Sequence, residues 1–271
     1  MLPTMKIGDL DITRLVVGSN PFTGKSHLNA ETNADMKQYF SEEQVFRMLR
    51  RCEEAGINAV QSRGSMPVMG LIDRYRAEGG KLYYLCQTGK NLLTFEEELD
   101  NMAKYHPSAI CIHGELTDEL YMTGNMEKLP ALLDAIRRKN VPVGICAHFP
   151  EALLYAEEKG WKVDYYMASL FNLMQPDRSH DVNPTGERFE ESDIPRMYAA
   201  IRQLSAPTIA LKILGAGRRC ATQDQVRRVF EEAFASMKCG DGVLVGMFDK
   251  YQDQPLLDAQ YTAEAIAKLE G

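Results

Sequence analysis

The sequence predicts a single (β/α)8 barrel spanning residues 1–271, and three observations predict it. Short apolar runs alternate with amphipathic stretches along the whole chain, the pattern of βα units on a parallel sheet. The runs number eight, and a ring of eight strands leaves no sheet edge exposed. No Gly-x-Gly-x-x-Gly follows the first strand, so the competing open, doubly wound sheet lacks its usual mark.

Each element has its own signal. A short hairpin from Lys6 to Thr13 leads into a first strand from Arg14 to Asn20. Ser41 followed by Glu42, Glu43 and Gln44 opens a helix with capping-box character. Val45, Leu49 and Cys52 repeat at helical spacing, and Gly56 supplies the stop. Ile57 to Val60 is the second strand and Leu82 to Cys86 the third, followed by a helix from Phe95 to Tyr105. Ala109 to His113 is the fourth, with a helix from Met126 to Lys139; Val141 to His148 is the fifth, with a helix from Pro150 to Lys159. Val163 to Ser169 is the sixth, and a helix runs from Ile194 to Leu204. Thr208 to Ile213 is the seventh, followed by a helix from Thr222 to Met237. Gly242 to Gly246 is the eighth, and a helix near Leu256 to Leu269 closes the chain. Two connections, Pro21 to Phe40 after strand one and Leu173 to Asp193 after strand six, are too long for simple βα loops. Both leave strand C-terminal ends, so they are expected as flaps over the barrel mouth, against the alternatives of disordered insertions or an oligomer contact.

Composition narrows the function classes. The chain is 45% hydrophobic and 25% charged, enough to bury a core without disulfides. Cys86, Cys111 and Cys146 lie inside apolar runs and no Cys-x-x-Cys occurs, which argues for reduced cysteines and against a zinc ribbon. A net charge of −7 without a basic stripe disfavours nucleic acid as a partner. No apolar run is long enough to cross a bilayer and no signal peptide opens the chain, so a cytoplasmic protein with a small-molecule substrate is the expectation. Oligomeric state is not readable.

Inward-pointing residues at strand C-termini share one site in a barrel. By alternation His113 shares a face with Cys111, and His148 with Cys146 and Gly144, so both histidines are expected in the mouth on adjacent strands. They read as an acid/base pair or as two ligands of a divalent metal, with Glu115 the third ligand and Asp118 another nearby carboxylate. The alternative is a pair of hydrogen-bonded core histidines. Lys212 lies in an otherwise apolar strand, where a lysine is costly without a partner or ligand. Lysines so placed act as general bases, Schiff-base formers or anchors for anionic oxygens; an ion pair with Asp164 or Glu115 is the structural alternative. Gly215, Gly217 and Arg218 after strand seven form a small-residue turn suited to a phosphate or carboxylate, or simply to turning. Asn20, Gln61, Arg63, Gln87 and Asn172 fall at strand ends, and such a ring of amides with one guanidinium suits a polyhydroxylated or carboxylated substrate. His27, His106 and His180 are expected at the surface.

The order of these signals resembles the aldo-keto reductase superfamily of TIM barrels. Ile7 to Gly24 looks like that family's N-terminal hairpin and first strand, Ala55 to Val60 like the entry to strand two, Asp164 to Asn172 like strand six, and Val245 to Met247 like the start of the strand-eight cofactor loop. The resemblance implies NADP and carbonyl reduction. It also implies a divergent branch, because the family's Asp falls on Gln61, its Tyr near Met66 and its Lys on Gln87 or Thr88, leaving only the His matched, by His113. Gln and Met cannot donate the proton that the Tyr supplies.

Three functions follow as expectations. The first is an isomerase, epimerase or lyase that moves protons on a small polar carbonyl or sugar-like substrate, using His113, His148 and Lys212, with or without a divalent metal. The second is an NADP-dependent reductase with altered catalytic residues. The third is a non-catalytic, ligand-binding barrel, motivated by the replaced tetrad.

Overall fold

The structure is a computed structural model and describes residues 2–89, 94–175, 178 and 187–270. Strands β1 (Thr4–Ile7) and β2 (Leu10–Thr13) form the expected antiparallel hairpin, turning at Gly8 with φ +56°. A side chain there would meet Pro142 Cγ at 2.8 Å, so glycine is required twice over, by conformation and by space.

Eight parallel strands then close into a barrel: β3 (Leu15–Gly18), β4 (Ala59–Arg63), β5 (Tyr83–Gln87), β6 (Ala109–Ile112), β7 (Val143–Ala147), β8 (Tyr165–Ser169), β9 (Thr208–Leu211) and β10 (Gly242–Gly246). Each pairs with its neighbour in chain order, and β10 returns to β3 in the register Val243 with Leu15 through Gly246 with Gly18. The protein is therefore a (β/α)8 TIM barrel in architecture.

The interior is packed, as barrel geometry requires at this strand number. Val16, Leu85, Cys111, Cys146, Met167 and Ile209 fill it, and Tyr165 lies across Gly144, whose missing side chain leaves room for the ring. Met5, Ile7 and Ile12 of the hairpin join this cluster and seal it below. A second, larger cluster lies between the strands and the surrounding helices. No helix among the described residues is long and apolar enough to cross a membrane.

The helices are α1 (Ala30–Tyr39), α2 (Glu42–Glu54), α3 (Met66–Ala77), α4 (Phe95–Ala103), α5 (Gly114–Met122), α6 (Leu129–Arg137), α7 (Pro150–Glu158), α8 (Asp193–Ile201), α9 (Gln223–Ser236) and α10 (Gln254–Glu270). Ser41 caps α2 by accepting from the Gln44 N–H, as expected. Three features depart from the sequence reading. Helices α3 and α5 were not anticipated. The first long connection is an ordered excursion, a 3-10 turn (Asn20–Thr23) followed by α1, rather than an irregular loop. Strand β9 stops at Leu211, so Lys212 stands just beyond the strand and not inside it. Much of the second long connection lies outside the described residues, His180 among them.

Candidate active site at the barrel mouth

One cavity of about 1100 Å³ opens at the C-terminal ends of the strands. His113, His148 and Lys212 all line it, as do Asn20, Gln61, Arg63, Gln87, Glu115 and Gly217. Cys146 forms part of its floor. Beneath the opening the Gln61 Nε2 donates to Gln87 Oε1 at 3.0 Å, and Gln87 Nε2 reaches the Met167 sulfur at 3.6 Å. These two amides therefore hold each other in place.

Helix α5 organises the two histidines. His113 ends β6 and caps α5, its Nδ1 accepting the Glu115 N–H at 3.2 Å. Because Nδ1 accepts, the neutral ring carries its proton on Nε2. Burial first, then the nearby charges of Arg63, His148, Lys212 and Lys25, holds the His113 pKa down to about 3. The ring is thus a neutral hydrogen-bond donor at ordinary pH. One turn along α5 sits Asp118, fully buried. Its carboxylate accepts the backbone N–H groups of His148 at 3.0 Å and Phe149 at 3.1 Å, and meets His148 Nδ1 at 2.7 Å. A carboxylate can only accept here, so His148 donates through Nδ1, and the neutral ring in this tautomer keeps its lone pair on Nε2. Gly114 leaves room for the His148 ring: a Cβ there would lie 3.0 Å from that ring and 3.3 Å from Cys146 Sγ. The two histidines are chemically opposite, one a donor and the other an oriented base.

Lys212 adopts φ +61°, a left-handed conformation that costs a long side chain energy. Among the described residues its ammonium makes no hydrogen bond or ion pair, which removes the structural alternative of a partner in Asp164 or Glu115. Asp164 instead accepts the Val143 N–H, and Glu115 faces Arg63 at 3.7 Å. Burial pulls the Lys212 pKa below that of an ordinary lysine. The same burial pushes the Cys146 thiol up to about 12, so it stays protonated.

Several expected ligands do not converge. The metal set of His113, His148 and Glu115 is not realised: each group is turned to a partner of its own, and among the described residues no three His, Cys, Asp or Glu side chains are grouped to hold a cation. Asn172 does not line the cavity. Its side-chain oxygen accepts the Met174 N–H at 3.1 Å, and its own N–H is held by Asp193, so it shapes the turn after β8. The anion site at Gly215, Gly217 and Arg218 is also not realised. The N–H groups of all three donate to the carbonyls of Lys212, Leu214 and Gly215 respectively. The Arg218 guanidinium donates to the carbonyls of His27 at 2.9 Å and Glu187 at 3.4 Å, and stacks 4.0 Å over Phe189.

Arg218 thereby ties together the two long connections. His27, expected at the surface, lines the cavity and bridges them as well. Its Nδ1 meets Glu187 Oε2 at 2.6 Å, and its Nε2 lies 3.2 Å from Asn20 Nδ2. The flap reading of these segments fits this geometry. His106 is exposed, as expected.

The β9–β10 side of the cavity is where the family resemblance would place a phosphorylated nicotinamide, and the residues there do not fit one. Cys220, Gln223, Phe248, Gln252, Gln254 and Asp258 line it, and the one ionisable oxygen acid among them is a buried carboxyl. Burial raises the Asp258 pKa to about 8. Lys250, the basic residue of the loop after β10, is drawn away into an ion pair with Asp35. Among these six residues a phosphate would meet a carboxyl and no cation.

No protein-family model matches the chain, and no curated protein matches it. Solved structures do. A truncated 3-deoxy-D-arabino-heptulosonate 7-phosphate synthase from Thermotoga maritima is 15% identical, with a TM-score of 0.56, covering 99% of this chain and 91% of that one. An aldo-keto reductase from Bacillus halodurans, in its holo form, is 11% identical with a TM-score of 0.58, covering 98% and 95%. An N-acetylmannosamine-6-phosphate 2-epimerase from Clostridium perfringens is 14% identical with a TM-score of 0.53, covering 94% and 92%. At these identities the likeness shows the barrel that the chains share, not their chemistry.

Proposed function

We propose that this protein is an enzyme that moves a proton on the carbon beside a carbonyl of a small, polar, sugar-like compound, as an isomerase, epimerase or lyase. The observation that carries the reading is the opposed pair that α5 organises: a neutral His113 able to donate, and a His148 that Asp118 orients as a base, facing one cavity. Abstraction of a proton next to a carbonyl needs both, a base at carbon and a donor at the oxygen where charge develops. His148 Nε2 takes the proton, and His113 Nε2–H stabilises the enolate oxygen. The neutral form of His113 suits this role because its donor acidity is matched to an enol and it does not lose its proton. Lys212 brings an amine to the same space. Gln61, Gln87, Asn20 and Arg63 supply hydrogen bonds for hydroxyl and carboxylate groups, which favours a polyhydroxylated substrate over an apolar one. Among the solved structures sharing the barrel, one bears the name of an epimerase and another of a phosphosugar-forming synthase, which is compatible with this class. A cytoplasmic setting is part of the same reading.

The test is uptake of solvent deuterium at the carbon next to the carbonyl, followed by NMR over a set of small ketoses, aldoses and 2-keto acids. Uptake by the wild type that is lost in His148→Ala supports the reading. A wild type that exchanges nothing above background across the set removes it and leaves the ligand-binding barrel, whereas an H148A variant that exchanges as fast as the wild type removes His148 as the base.

A further inference from the structure

Lys212 is more than a charge in the mouth of the barrel. Among the described residues, the carboxylates that act on it are committed elsewhere: Asp118 to the His148 ring and two backbone N–H groups, Glu115 to Arg63, and Glu187 to His27. An ammonium meant to stay charged in a partly buried place would be given a partner. Among the described residues this one is not, and burial shifts its equilibrium toward the neutral amine. The backbone also holds Lys212 at φ +61°, immediately after β9, where a residue continuing the strand would need no such conformation. Strain of this kind persists only where the surroundings over-determine the position of the side chain. Fixed position matters little for long-range charge and a great deal for bond formation.

The neighbours complete the requirement. His113 and Lys212 are close enough for the amine's charge to depress the His113 pKa, and Cys146 and Asp118 in turn act on Lys212. Hence a donor, a base and an amine share one end of the cavity.

We infer that Lys212 is the covalent nucleophile of this site and forms an imine with the carbonyl of a small hydroxylated aldehyde or ketone. The inference rests on the proton-transfer reading for its purpose, since an iminium makes the adjacent C–H more acidic than a free carbonyl does. The unprotonated Nζ attacks the carbonyl carbon. The C–N bond forms and the π pair moves to oxygen, where the His113 Nε2–H stabilises it as a hydrogen-bond donor and keeps its proton. One Nζ proton passes through His148 Nε2 to that oxygen, giving a neutral carbinolamine. His148, protonated again from solvent, gives its proton to the hydroxyl as it leaves as water, and the nitrogen lone pair closes the C=N bond. The resulting iminium loses its α-proton to His148 and becomes an enamine; reprotonation on the other face and hydrolysis release the product and restore Lys212. No oxidant or reductant is consumed.

The experiment uses the full chain. It is incubated with dihydroxyacetone and sodium cyanoborohydride, which reduces an iminium to a stable secondary amine, and the modified lysines are mapped by mass spectrometry. A parallel sample uses formaldehyde, the smallest carbonyl, so that fit to the cavity is not limiting. Deuterium uptake into dihydroxyacetone is followed separately, without reductant, for the wild type and for Lys212→Arg, which keeps a cation and cannot form an imine. The expected result is modification of Lys212 ahead of every other lysine at neutral pH, by about ten-fold for each unit by which its pKa is lowered, with uptake lost in K212R. Modification spread over exposed lysines with Lys212 spared by both carbonyls overturns the inference. Deuterium uptake that survives in K212R also overturns it while leaving proton transfer by His148 standing. Modified Lys212 without any uptake does the reverse: the imine stands and the proton-transfer reading falls.

Discussion

At the scale of single residues, the site is decided by which ring nitrogen carries a proton. Asp118 accepts three N–H groups from the start of the segment after β7, one of them the His148 ring. Replacing it with Asn keeps the shape but offers an amide N–H where an acceptor is needed, so the His148 ring turns over or changes tautomer and its base faces the wrong way. Asp118→Asn is expected to lower kcat by about 10²- to 10⁴-fold with KM little changed, since the carboxylate touches no substrate. Steady-state kinetics on whichever substrate exchanges its α-proton checks this. A loss confined to KM would show that Asp118 does not orient the base. Gly114 makes a subtler test. Ala is a better helix former than Gly, so Gly114→Ala in the first turn of α5 should leave stability within about 1 kcal/mol of wild type. The added methyl would lie 3.0 Å from the His148 ring and displace it by a few tenths of an ångström. Turnover is expected to fall by about ten-fold or more, because catalytic geometry tolerates little misplacement. Unchanged turnover in a folded Gly114→Ala protein would count against His148 as the base.

At the scale of elements, two features that shape the site were concealed in the sequence, helix α5 and the early end of β9. Alternation along the fourth and fifth barrel strands correctly put His113 with Cys111 and His148 with Cys146, because a period of two survives in any short strand. Helix α5 was missed because Gly114 stands at its first position and a nine-residue helix offers little periodicity to read. Its signals were Glu115 in the first turn, with Leu116 and Leu120 one turn apart. The Asp118–His148 pair spans 30 residues of sequence and is not legible in any local pattern. Likewise the apolar run through Ile213 concealed that β9 ends before Lys212, since a left-handed lysine has no sequence signature. The glycines after β9 suit an anion cradle or simple turning, and the structure spends their N–H groups on carbonyls, as the second requires. The misplaced end of β9 has an energetic consequence. Glycine adopts φ +61° without strain and buries no amine, so Lys212→Gly is expected to stabilise the fold by about 1 kcal/mol while abolishing turnover. Urea midpoints measured alongside activity check this, and a destabilised variant would mean that the lysine holds the mouth together rather than serving chemistry.

At the scale of the whole molecule, two buried groups set how stability depends on pH, with opposite signs. His113 keeps its proton off until about pH 3 in the fold, whereas an ordinary histidine binds one near 6.5. Between those values the unfolded chain holds more protons, so stability is lost as pH falls through this window. Asp258, in α10, keeps its proton until about pH 8, against an ordinary value of 3.8, because its carboxyl is nearly sealed from water. Across that window the folded chain holds more protons, so this contribution is present in acid and is lost as pH rises toward 8. The two windows overlap from about pH 4 to 6.5, where the slopes oppose each other, and the alkaline decline stands alone above that range. Each slope can be removed separately. Asparagine is a strong N-cap, so His113→Asn preserves the start of α5 while abolishing the acid-side loss attributable to the ring. Asp258→Asn cannot ionise, and the change in stability from pH 5 to pH 8 is expected to shift toward greater stability at pH 8 by on the order of 3 kcal/mol. Urea unfolding at pH 4, 6 and 8 measures both effects on the same chain. An Asp258→Asn protein that declines toward pH 8 as steeply as the wild type would show that this carboxyl is already ionised in the fold. The β9–β10 side of the cavity would then carry a negative charge at neutral pH, which would set it still further from a phosphate site.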